Sequence, residues 1–478
     1  MGWCGVPRAL GLATFGVMLA QASGADAQCA RPTDPPPGYA GRSYGPDAAR
    51  SFDSERIRVW YTMSGLHAVR PASTRTDGTP DDVVEVSQIA EAALSRFAAS
   101  GYRAPISDGE ISCGSNGGDG RLDIYLVDFA AADGSTVTER CTTPPGARAF
   151  QCAGFVLVEA RMDLKYPTST EGFRTVVPHE VFHAVQNAYD AELDRFFAEG
   201  SAQLATKRLY PELRDLERFL PAFLTDTSRA LDTPGGGVTS GFLYGSALWP
   251  LFLEERHGDS VVRGVLEEAS STGASVLDAT AEVLAARGST LGATFLHFAT
   301  WNVATGRRAG DGGYADARTY PEAKLEPWPT GATAPLSGLA ARYFRVATDV
   351  RASLYIDADP ARVGATFVPM EAGVARLSRA SPLPANVEGE GVVVVAGLTP
   401  SKSDAPFVLG LGAPLPEPPP PLPAATSAGS GQPRETSNGA EAPGGCSIPQ
   451  LPAGNAPIAR LTPLALLAAV ARKKKHSP

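Results

Sequence analysis

Residues 176–205 read "VVPHEVFHAVQNAYDAELDRFFAEGSAQLA". His179 and His183 stand four apart, so on a helix both imidazoles lie on one face, one turn from each other. Neutral imidazole is a good zinc donor. Glu180 cannot point the same way as both histidines. It can reach a water in an ion's open position, which is what a general base needs. The chain has six histidines in 478 residues. At that composition His-Glu-x-x-His arises by chance only about 0.004 times, so the pattern is a specific signal. Catalytic zinc usually takes three protein ligands. Glu199, in "FFAEGSA", is the third: it stands on a second apolar run whose helix would cross the first. Asp190, Glu192 and Asp194 are its rivals, and they lie in what reads as the connecting turn.

Upstream of this helix the texture is mixed. "RIRVWYT" (56–62), "RLDIYLVDF" (121–129) and "GFVLVEAR" (154–161) read as strands, β-branched and aromatic residues alternating in them. Between the first two, Val83, Val86, Ala90, Leu94 and Phe97 recur at helical spacing. From 199 to about 305 the pattern is mostly helical, with glycine stops at Gly258, Gly288 and Gly306. Near 326 it turns to short β-runs divided by Gly, Pro and Asp, which predict a small β-sandwich over 326–412. Residues 413–445 are rich in Pro, Ser and Gly and read as an extended linker without a core.

Net charge is −9, with 43% hydrophobic and 19% charged residues. No basic block precedes the last few positions, so a nucleic-acid partner is not expected. The first 27 residues read as an export signal: Arg8, the apolar stretch 9–20, and small residues "ADA" before Gln28. Export implies an oxidising compartment. Of the four cysteines in the body, the pairing favoured is Cys141 with Cys152 and Cys29 with Cys113. Two acidic groups on Gly-rich turns, Asp77, Asp81 and Asp82, then Asn116, Asp119 and Asp123, offer oxygen ligands that suit Ca2+, although neither completes an EF-hand loop. Ordinary turns are the competing reading.

"HEVFHAVQ" followed by "AEGSAQLA" resembles the gluzincin, thermolysin-like branch of zinc metallopeptidases. "DGTPDDVVEV", "GYRAPISDG", "GGDGRLDIYLVDF", "HEVFHAVQNAYD", "LYGSALWPLFLEERHG" and "FATWNVATG" resemble a family of exported bacterial metalloproteases, over roughly residues 50 to 305. The resemblance implies an α+β fold for residues 28–325: a mixed N-terminal sheet with an active-site helix, then a helical subdomain. It maps His179, His183 and Glu199 onto the zinc ligands and Glu180 onto the base. It also implies that the strand 154–161 is an edge that pairs with substrate. One departure stands out. Thermolysin-like enzymes often carry a carboxylate four residues past the third ligand, to orient a ligand histidine; Gln203 stands here instead. "GGCSIP" and the tail after it, residues 446–478, resemble a MYXO-CTERM sorting tail, although the apolar run 461–471 is shorter than the ~20 residues that span a bilayer.

The function expected is an exported zinc endopeptidase acting on protein or peptide, attached through its tail to the cell surface. Tyr244 is the candidate oxyanion donor, since it opens a helix after the Gly-rich "TPGGGVTSGF"; His257 and His297 are alternatives. Two other readings compete. One is a surface-tethered binding protein that keeps the scaffold without turnover. The other is a zinc hydrolase of a non-peptide or cell-wall amide.

Overall fold

Alternation makes the first core strand. Ile57, Val59 and Tyr61 are buried on one face of β2 (Ile57–Tyr61), which pairs antiparallel with β1 (Arg50–Asp53). Helix α1 (Asp81–Ala99) opens with Asp81 and Asp82 at its positive end and buries Val83, Val86, Ala90, Leu94 and Phe97. The sheet continues with β3 (Leu122–Val127), β4 (Gly134–Thr142) and β5 (Gln151–Glu159), in the order β1-β2-β3-β5-β4. β2, β3 and β5 run parallel; β1 and β4 are antiparallel edges. The strand over 154–161 is therefore internal, and the expectation of an edge there is corrected: β4 takes that position. Both faces of β3 are buried, Ile124 and Leu126 in the main core, Tyr125 and Val127 in a smaller core behind the sheet. Cys141 and Cys152 face each other across β4 and β5 and form a disulfide.

This computed structural model describes residues 29–416, apart from 46–47, 112–116, 130–131, 234–240, 330–332 and 401–402. The export signal, most of the linker, the sorting tail, Asn116 and Cys113 lie outside the described residues. Cys29 is disulfide-bonded. Among the described residues no helix is long and apolar enough to cross a membrane.

Helix α2 (Ser169–Asn187) starts at a Thr168 cap, whose side chain accepts from the Glu171 amide at 3.1 Å. It is buried along most of its length and packs on the sheet, on α1 and on α3 (Arg195–Leu209). Phe97 and Phe182 meet edge to face at 5.0 Å between α1 and α2. Beyond α3 follow α4 (Asp215–Leu224), α5 (Gly241–Gly245), α6 (Leu248–His257), α7 (Val261–Thr272), α8 (Val276–Ala285) and α9 (Leu291–Trp301). Their core is aromatic, with Trp249 against Phe252, Phe295 and Phe298.

The C-terminal strands are β6 (Ala341–Ala358), β7 (Val363–Glu371), β8 (Val374–Ala375), β9 (Ser381–Pro382), β10 (Ala385–Gly397) and β11 (Phe407–Gly412). They form one antiparallel sheet, ordered β11-β6-β10-β7-β8, with β9 beside β7. A two-sheet sandwich was the expectation; the single sheet replaces it because its two faces find different partners. Val392 and Val394 join the core of the helical part, near α9, whereas Val393 and Val395 pack with Phe344, Phe367 and Phe407 in a core of their own. Helices, one mixed sheet and one antiparallel sheet thus combine in an α+β chain.

Candidate metal centre

The i,i+4 spacing on α2 and the crossing of α3 bring three donors together. His183 Nε2 is 3.1 Å from His179 Nε2. Glu199 Oε2 is 3.2 Å from His179 Nε2 and 3.6 Å from His183 Nε2. A tetrahedral zinc with bonds of ~2.0–2.1 Å separates its ligand atoms by about 3.3 Å, so the triangle has the dimensions of three corners of such a site. All three residues are buried, Glu199 fully. Glu199 Oε1 is buried without a hydrogen-bond partner. A buried carboxylate oxygen left bare is costly, and a cation beside it removes the cost. Two imidazoles and one carboxylate also form a donor set that zinc favours. The residues fit the ion.

Among the described residues this is the one group of three or more His, Cys, Asp or Glu able to hold a metal. Asp190, Glu192 and Asp194 stay in the connecting turn, where Asp190 accepts from the Glu192 amide and Asp194 from the Val276 amide. The acidic groups read as calcium ligands meet arginines instead. Asp77 pairs with Arg75, Asp82 with Arg70, Asp119 with Arg58 and Arg121, and Asp123 with Arg31. Asp81 accepts from Thr74. Arginines thus pair with four of these five carboxylates, and among the described residues neither cluster forms a group able to hold a metal.

The outer contacts explain how the ligands are held. His183 Nδ1 lies 2.7 Å from Gln186 Oε1, and the Gln186 amide donates to Ala198 O at 2.8 Å and to Ser201 Oγ at 2.9 Å. That side chain ties α2 to α3 and fixes the imidazole that it touches. Gln203 does not stand alone either: its amide donates to Asp215, a buried carboxylate delivered by α4. Burial raises the Asp215 carboxyl, against the pull of Gln203, Arg218 and His179.

Glu180 is buried between α2 and β4. Thr136 Oγ1 lies 2.9 Å from Glu180 Oε2 and 2.7 Å from the Glu180 carbonyl oxygen. Burial pushes the Glu180 carboxyl above its ordinary value, and the neighbouring imidazoles of His183 and His179 oppose the rise. The Tyr244 ring is 5.9 Å from the His179 ring and 4.9 Å from Phe219, which places it on the wall beside the first ligand. His257 and His297 sit elsewhere. His297 accepts from the Trp301 indole at 3.1 Å, and both histidines pack against Phe252.

Thr136, Gln186 and Asp215 were not legible as site residues. Gln186 carried a usable signal, since it stands three residues past His183 on the same helix face. No protein-family model matches this chain, and no curated protein is similar enough to count as a relative.

Proposed function

We propose that this chain is an exported zinc metallopeptidase with Glu180 as its general base. The observation that carries the reading is the buried triangle of His179, His183 and Glu199, with a second carboxylate next to the first ligand. When bound, the ion supplies Lewis acidity to a water and to the substrate carbonyl oxygen. Glu180 takes the proton of the attacking water and returns it to the leaving amine. Its burial favours this role, because a proton it has taken is kept away from bulk water beside the leaving group. Tyr244 stands beside His179 as the donor to the developing oxyanion. An extended peptide adds to the edge strand β4, next to Glu180, through main-chain hydrogen bonds.

Export through the N-terminal signal and surface attachment through the tail complete the proposal. The Cys141–Cys152 disulfide agrees with an oxidising compartment. The test is Glu180→Gln. Loss of peptide hydrolysis with metal content unchanged supports the reading. A purified wild-type protein that folds without binding zinc overturns it. Cleavage of a cell-wall cross-link in place of peptides, assayed side by side, would move the substrate class and leave the machinery as described.

A further inference from the structure

Strand β4 comes unusually close to the catalytic helix, and Gly134 permits it. A Cβ at this position would stand 2.6 Å from Val176 Cγ1, 2.7 Å from Glu180 Cγ and 2.8 Å from Glu180 Oε1. Two of these neighbours belong to the buried base itself, so the strand could not approach with any other residue unless Glu180 moved. Strand side chains alternate, so Thr136 leaves β4 on the same face as Gly134. Its hydroxyl reaches both Glu180 Oε2 and the Glu180 main-chain oxygen, and both residues are buried. A threonine hydroxyl has one proton and two lone pairs. It can donate to the carboxylate when Glu180 is charged. Among the described residues Oε2 alone of the two carboxyl oxygens is hydrogen-bonded, and Oε1 lies against Gly134.

We infer that Thr136 is a positioning residue: from the edge strand it holds the Glu180 carboxyl in one orientation through its hydroxyl, with Gly134 supplying the room. The inference rests on the role of Glu180 proposed above. It gives β4 two tasks at once. The outer main chain registers an extended substrate, and the inner side chain of the same strand sets the base. The position of the scissile bond and the orientation of the base therefore share one rigid element, which limits misalignment between them.

The experiment compares Thr136→Val, which keeps the shape and removes the hydroxyl, with Thr136→Ser, which keeps the hydroxyl. Two readouts are taken on full-length protein. The first is kcat and KM on fluorescein-labelled casein. The second is affinity of the Co2+-loaded protein for acetohydroxamate, followed by the visible cobalt spectrum; this ligand binds an open metal position and donates a hydrogen bond to the adjacent carboxylate. Thr136→Val should lower kcat about 10–100-fold with KM within about twofold, and weaken acetohydroxamate about tenfold, at unchanged metal content and melting temperature. Thr136→Ser should restore both to within about threefold. If casein is not a substrate, the hydroxamate readout alone decides. A Thr136→Val protein that matches wild type in both readouts, or a Thr136→Ser protein as impaired as Thr136→Val, overturns the role of Thr136. Wild-type protein that takes up no Co2+, or Glu180→Gln with full activity, overturns the hydrolase reading instead.

Discussion

Gln186 Oε1 stands 2.7 Å from Nδ1 of His183, one turn further along the same helix. Because the amide oxygen can only accept, Nδ1–H of His183 is the donor in this contact, and Nε2 is left to face the space between Glu199 and His179 that an ion would fill. The Gln186 amide group, bound to Ala198 O and Ser201 Oγ, cannot turn without giving up both. Gln186→Leu should therefore weaken zinc about 10–100-fold, measured by competition with a chromogenic chelator. Gln186→Glu keeps an acceptor for Nδ1 but sets a carboxylate oxygen against Ala198 O, so it should recover only part of the affinity.

Metal binding should also register as stability. An ion that binds the folded chain and not the unfolded one adds about 2.7 kcal/mol at a free concentration one hundred times its dissociation constant. Calorimetry of the metal-free protein should show the melting temperature rising by several degrees on addition of zinc. His183→Ala should abolish the rise while melting near the metal-free wild type. Apo wild type that gains nothing from zinc would count against the site.

Arg31 closes the back of the same sheet. Its guanidinium is fully buried and meets three carboxylates: Glu139 through Nε at 2.9 Å and Nη2 at 2.5 Å, Asp108 through Nη2 at 2.7 Å, and Asp123 through Nη1. Burial opposes the charge of Arg31, yet Tyr125 and these carboxylates hold it protonated well above its ordinary range. One cation cannot neutralise three anions. Burial accordingly raises Asp108 and Glu139 and pushes Asp123 up to about 7. Arg31→Met leaves buried carboxyls without a counter-charge and should cost about 3–5 kcal/mol in denaturant unfolding at neutral pH. The loss should shrink at lower pH, where the acids carry protons. Because Glu139 belongs to β4, activity should fall together with stability.

The site was legible wherever its logic is local. Helical period placed His179 and His183 together, and an apolar run around Glu199 announced a helix able to bury that carboxylate. Contacts made across long separations left no comparable trace. Thr136 reaches Glu180 over 44 positions, and Arg31 reaches Glu139 over 108. β4 escaped for a related reason: "GSTVTERCT" has few apolar residues, and its place at the edge depends on pairing with β5, which no short pattern encodes. The C-terminal strands show the opposite case. Their spacing was readable, but "VVVV" at 392–395 is apolar on both faces, and periodicity cannot tell a sandwich from one sheet clothed on two sides. Of the arginines that pair with the acidic turns, Arg75 and Arg121 stand two residues from Asp77 and Asp119, whereas Arg31 reaches Asp123 over 92 positions and could not be read from spacing.

Glu254 offers a pH test away from the metal. It is buried on α6 and accepts from Arg208 Nη2 at 2.9 Å. Burial pushes its carboxyl up to about 7, and Arg208 only partly offsets the rise. A folded value above the unfolded one means that the protonated carboxyl contributes stability in full below about pH 4–5 and loses it as pH rises through about 7. Unfolding free energy should therefore decline between pH 5 and 8, with Glu254 accounting for up to about 3 kcal/mol of the fall. Glu254→Gln carries no titrating proton. Subtracting its pH profile from that of wild type isolates this one group, since all other groups titrate in both proteins. A difference that grows more unfavourable to wild type up to about pH 7 and then levels off is the expected result. A flat difference would show that Arg208 holds Glu254 ionised throughout, which reverses the assigned direction.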